Sequence, residues 1–153
     1  MSLPEEQKVN LKVQKYIREA EDDLVLWIQD ALDNTNYNKS KKSNSKLEES
    51  QFRNLIRVAD TTDSTEVIKN FLRYQVGRNE KEEKWGRGKG SLAERIINDI
   101  EGNIKQTARN IYDTIQSENG KVELKPIWLE LIRRYLGYGA RYLTYRNKGM
   151  DDE

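Results

Sequence analysis

Residues 128–146 read WLELIRRYLGYGARYLTYR, and their spacing decides the fold. On a helix of 3.6 residues per turn, Trp128, Leu131, Ile132, Tyr135, Gly139, Tyr142 and Leu143 gather on one side. Arg134, Tyr138, Arg141 and Tyr145 follow i, i+4, i+7, i+11 spacing along a separate stripe. No acidic residue falls between Glu130 and Asp151, while Arg133, Arg146 and Lys148 add positive charge. The segment therefore predicts a helix with a core face and a basic, aromatic flank. Cations replace condensed counterions on phosphates and flat rings stack on exposed bases, so such a flank suits a nucleic-acid backbone. A solvated helix face is the competing reading.

The rest of the chain repeats the helical period. Val13, Ile17, Ala20, Leu24, Trp27, Ile28 and Ala31 recur at three- and four-residue steps and predict one first helix from about Pro4 to Leu32, acidic on its other face. Ser45 and Glu48 form a capping box for a second helix through Phe52, Leu55, Ile56 and Ala59. Asp63 and Glu66 cap a third helix, which runs through Val67, Ile68, Phe71, Leu72 and Val76 and stops at Gly77. A fourth carries Ile96, Ile97, Ile100, Ile104, Ile111 and Ile115 and ends at Asn119-Gly120, and Pro126 belongs in the first turn of the fifth. With no period-2 alternation and no repeat, residues 1–153 read as one all-α domain, a single bundle of about five helices.

Two loops interrupt it. Residues 34–46 hold Lys39, Lys41, Lys42 and Lys46 among Asn and Ser, with only Tyr37 able to reach a core, and predict a flexible basic loop. Residues 77–91 form a Gly-rich basic loop in which Gly86, Gly88 and Gly90 alternate with Arg87 and Lys89 behind Trp85. Its backbone can approach phosphates while Arg87 and Lys89 neutralise them and Trp85 stacks on a base. The alternative is a connector whose Trp85 folds back onto the bundle. The spacing fits neither a Walker A loop nor a dinucleotide fingerprint.

Charge is segregated along a chain whose total is close to neutral, with 27 Lys and Arg against 26 Asp and Glu. Residues 1–33 hold four basic and eight acidic side chains, whereas 34–60 hold six and three. Alternating blocks suit a protein that pairs with neighbours as well as with an anionic polymer. Arg53 and Arg57 on the second helix, and Lys69, Arg73 and Arg78 on the third, place like charges about one turn apart, which hints at a shared anion. Ion pairs with the acidic first helix compete with that reading. A hydrophobic fraction of 35% against 35% charged residues is lean, so the fold exposes much surface or completes its burial against partners.

Chemistry narrows the classes further. The chain has no His and no Cys, which removes the usual general base, the thiolate nucleophile and the commonest metal ligand. Asp60, Asp63 and Glu66, or Glu19, Asp22 and Asp23, could hold magnesium. These acids also stand where helix ends and a solvated face want them, so the chain reads as non-enzymatic, without metal or cofactor. No apolar run approaches the roughly 20 residues that span a bilayer and no signal peptide is evident, which predicts a cytoplasmic protein.

The run from Phe52 to Ala59, a short turn, then Glu66 to Arg78, followed by the Tyr-rich basic stretch Leu136 to Tyr145, resembles the small helical subunits of type III CRISPR effector complexes. The likeness covers roughly residues 47–146. It implies a non-catalytic protein present in several copies along a ribonucleoprotein filament, meeting CRISPR RNA paired with target RNA through a basic face, beside other effector-complex subunits. The residues themselves nominate Arg53, Arg57, Lys69, Arg73, Arg78, Arg134 and Arg141 for sugar-phosphate contacts and Tyr138 and Tyr145 for stacking, with Arg87 and Lys89 beside them. A helical protein-protein adaptor, with the same Tyr and Arg as interface anchors, is the rival reading.

Overall fold

Helix starts and stops set the element order. A computed structural model describes residues 3–37, 46–78 and 83–150. It contains α1 (Glu5–Glu19), α2 (Glu21–Asn34), α3 (Glu49–Thr61), α4 (Thr65–Arg78), α5 (Leu92–Asp99), α6 (Lys105–Ser117) and α7 (Leu124–Thr144), with no strand among the described residues. A π-helical turn, Ile100–Ile104, joins α5 to α6 in one rod, and a second, Tyr145–Gly149, extends α7. The bundle thus has six rods where the periodicity predicts about five.

The extra rod comes from the acidic first helix, which breaks at Ala20 instead of running unbroken to Leu32. No Gly or Pro marks the break. Its cause is tertiary, because α1 packs along α6 while α2 packs along α7 and α5. Lys12 Nζ and Tyr16 Oη both donate to Glu118, at 2.9 and 3.0 Å, and fasten α1 to the end of α6. Capping differs by a few residues from expectation. Glu48 caps α3, its amide donating to Gln51 Oε1 at 2.9 Å, and Ser45 lies outside the described residues. Ser64, not Asp63, accepts the Val67 amide at the start of α4, which continues past Gly77 to Arg78. At Asn119-Gly120 the expected stop is present: Asn119 adopts a φ of 64° and the Gly120 amide donates to the Ile115 carbonyl at 2.9 Å.

Helix α7 is the axis of the bundle, packed against α2, α3 and α6. Ile127, Leu129, Leu131, Ile132, Tyr135, Leu136, Gly139 and Leu143 are buried along it. Gly139 marks the tightest crossing, since a Cβ there would lie 2.7 Å from both Ile28 Cγ1 and Phe52 Cζ. The π-helical turn meets α7 near its start, with the Ile100 carbonyl accepting the Trp128 indole N–H at 2.8 Å. One polar cluster runs from the buried core to the surface. Tyr135 donates to Asp99 at 2.7 Å, and Arg95 reaches Asp99 at 3.0 Å, Asp30 at 2.5 Å and the Trp27 carbonyl at 3.1 Å. Burial raises the Asp99 carboxyl above its ordinary range, against the hydrogen bonds from Tyr135 and Arg95.

Both predicted loops are largely fastened where they are described. Thr35 and Tyr37 donate to the carbonyls of Ala31 and Leu32, closing the end of α2, while residues 38–45 lie outside the described residues. Asn36 receives Leu92 N–H on its carbonyl at 3.0 Å and donates its own amide to the Gly90 carbonyl at 2.8 Å. Trp85 is fully buried, its ring 5.6 Å from Phe52 and its indole N–H without a partner, so it is a core residue and does not stack on a base. Gly86 makes the fold-back possible. It has a φ of +79°, and a Cβ would meet the Asn36 carbonyl oxygen at 1.9 Å.

Candidate nucleic-acid interface

The nominated residues divide by what surrounds them. Arg134 projects from α7 against the first two helices, donating to Glu21 at 2.5 Å, Glu130 at 3.0 Å and Gln14 at 3.1 Å. Burial opposes its charge, but Glu130 and Glu21 outweigh that and raise its pKa. Tyr138 beside it is half-buried, and burial together with Glu21 pushes its hydroxyl above the ordinary phenol range. Lys69 on α4 is buried at 6% exposure between Glu66, at 2.7 Å, and Glu101. Desolvation acts against this ammonium too, yet the two carboxylates raise its pKa. Arg133 and Arg146, which belong to the same basic helix, are also engaged inward. Arg133 donates to the Ala59 and Thr62 carbonyls at the C-terminus of α3, and Arg146 pairs with Asp33, which also accepts from Tyr142. Of the flank expected to meet RNA, Arg134 and Tyr138 therefore lie in a partly solvated seam, while Arg141 and Tyr145 are exposed.

A second set points outward. Arg57, Arg73, Arg78, Lys89 and Arg141 are exposed, and none is within ion-pair distance of a carboxylate among the described residues. Arg53 is 69% exposed and stands 3.6 Å from Glu49, which Lys148 shares at 3.3 Å. Tyr145 is 53% exposed with its ring 5.8 Å from Tyr142. Arg87 is exposed in the loop between α4 and α5. The outward set does not form one stripe. Arg73 and Arg78 are five residues apart, about 140° around α4, and so lie on opposite flanks.

Arg57 and Arg78 share one surface groove. They line an open groove of about 400 Å³ between α3 and α4 with Asn54, Val58, Phe71 and Tyr74. No acidic residue lines it among the described residues. Arg57 Nη1 donates to Asn54 Oδ1 at 3.3 Å, and Tyr74, 57% exposed, rises from α4 one turn before Arg78. The sequence reading omits Tyr74, although its i, i+4 relation to Arg78 is a signal that could have found it.

The carboxylates weighed for magnesium do not converge, since no group of three or more metal-ligating side chains clusters among the described residues. No helix is long and apolar enough to cross a membrane. Comparison with known proteins gives no match to any family model, curated protein or solved structure.

Proposed function

We propose that the chain is a non-catalytic RNA-binding subunit of a ribonucleoprotein assembly, in the manner of the type III CRISPR small subunits that its sequence resembles. It contacts sugar and phosphate through helix faces and reads no base sequence. The observation that carries this reading is the α3–α4 groove, where Arg57 and Arg78 line one open cleft whose described lining holds no carboxylate. Two unneutralised guanidinium groups repel each other and are stabilised by a shared anion. In an assembly the remaining outward cations, Arg53, Arg73 and Arg141, add to the path along CRISPR RNA and target RNA, and neighbouring subunits and further copies of the chain supply the multivalency that single contacts lack.

The test is fluorescence anisotropy with a labelled RNA of about 30 nucleotides, titrated from roughly 50 to 200 mM salt. Binding falls steeply with salt, and Arg57→Glu with Arg78→Glu weakens it and flattens the salt slope by about one for each phosphate no longer neutralised. Unchanged binding by that variant overturns the assignment. The adaptor reading draws on a different observation: Leu11 and Leu26 stand 60% and 61% exposed on the acidic first two helices. It gains if the wild-type chain binds no RNA at low salt and instead loses a protein partner when Leu26 is replaced by Asp.

A further inference from the structure

The geometry points to Tyr74 as a base-stacking platform that makes the α3–α4 groove selective for single-stranded over paired RNA. The inference rests on the reading of that groove as an RNA contact and goes beyond it, because contacts to sugar and phosphate alone favour neither form. Three features carry it. Tyr74 is more than half exposed, although a large aromatic ring gains by burial and its neighbours Phe71 and Leu72 are partly or fully buried. The ring lines the same groove as two guanidinium groups, together with the apolar side chains of Phe71 and Val58. The groove is open to solvent, and its volume of about 400 Å³ leaves room for a nucleobase beside the ring.

Cations flanking an aromatic ring recur in proteins that bind single strands, where the ring takes the face of a base while the cations follow the phosphates on either side. In an A-form duplex those faces are already stacked on one another, and Tyr74 has nothing to meet. Arg57 and Arg78 would bind either form, so Tyr74 alone decides between them. A protein partner would be served by the same ring, but a groove whose described lining holds two cations and no anion favours a polyanion over a mixed protein surface.

The experiment compares three labelled RNAs of about 12 nucleotides, within the range that one single-strand site covers: a single strand, the same strand without its bases, and a duplex. Tyr74→Ala weakens the base-bearing strand by about fivefold or more, the loss expected from one stacked base, and leaves the abasic strand and the duplex unchanged. Tyr74→Phe binds as the wild type does, since stacking needs the ring and not the hydroxyl. The inference fails if Tyr74→Ala weakens all three RNAs alike, or none of them while Arg57→Glu with Arg78→Glu still weakens binding; in both cases the groove remains an RNA contact. If the wild-type chain binds none of the three, the groove reading and this inference fall together.

Discussion

Helix α7 carries Arg133, Arg134, Tyr135 and Tyr142, and α4 carries Arg73, Tyr74 and Arg78. The surroundings of the two sets differ. On α7, Arg134 meets Glu21 and Glu130, Arg133 closes the end of α3, Tyr135 meets Asp99 and Tyr142 meets Asp33. On α4, Arg73, Tyr74 and Arg78 face outward, and of its cations only Lys69 turns in. Composition is shared, but position in the bundle is not. A helix at the axis is surrounded by neighbours that use most of its polar tips, with Arg141 an exception, whereas a peripheral helix keeps one side for solvent or a ligand. An Arg/Tyr-rich stretch therefore indicates an interface only once its place in the packing is known.

The largest effect expected from this contrast lies at Gly139. A Val there drives its Cβ and two methyl groups into Ile28 and Phe52, already 2.7 Å from a Cβ, and destabilises the protein by about 3 kcal/mol. Urea unfolding measures this. At Gly77 on α4 nothing lies within 4 Å of an added Cβ, so Gly77→Ala is neutral or stabilising, by up to about 1 kcal/mol from helix propensity. Equal losses at the two glycines would break the distinction between an axial and a peripheral helix.

The same contrast explains which features are legible in the sequence. The Ile96-to-Ile115 stripe, the Asn119 stop and Pro126 in the first turn of α7 are local signals, and each is realised. The break at Ala20 has no local signal because it arises from α1 and α2 docking on different helices. On α7, Leu131, Tyr135, Gly139, Ile132, Leu143, Leu136 and Leu129 are buried on one continuous arc that covers nearly half of the helix circumference. So broad an apolar arc is wider than a single neighbouring helix covers, and that is the local sign that α7 packs against several helices. Arg134's partner Glu21 is 113 residues distant, a pairing that spacing along one helix cannot reveal. Trp85 is ambiguous in sequence for a related reason, since a Gly-rich loop reads as mobile until Asn36 and Phe52 are brought against it.

A sharper version of the comparison lies within α7 itself. Arg134→Gln leaves Glu21 and Glu130 without a cation and costs about 1 kcal/mol, modest because all three side chains remain partly solvated. Arg141→Gln, seven residues on and exposed, changes stability by less than about 0.5 kcal/mol. RNA binding reverses the order: Arg141→Gln lowers the salt slope while Arg134→Gln, once folded, leaves it unchanged. Paired urea titrations and anisotropy measurements on the two variants decide the matter. If Arg134→Gln is the variant that loses the slope, the seam between α7 and the first two helices opens to admit RNA.

The smallest effect concerns Lys69, the inward exception on α4. Its hydrogen bond holds the Glu101 carboxyl below the ordinary 4.5, with burial opposing. A depressed carboxyl contributes stability that is present above its unfolded pKa and lost as pH falls through the folded one, so this contribution disappears on acidification below about 4.5. Lys69 has the opposite sign: its raised pKa contributes below 10.5 and is lost as pH rises past the folded value. The difference in urea stability between wild type and Lys69→Met should therefore be about 1 kcal/mol near neutral pH and shrink at both acidic and strongly alkaline pH. RNA affinity should not change. A Lys69→Met protein with full stability and weakened RNA binding would mean that Glu66 and Glu101 do not hold this ammonium in solution, and would return Lys69 to the outward set with Arg73 and Arg78.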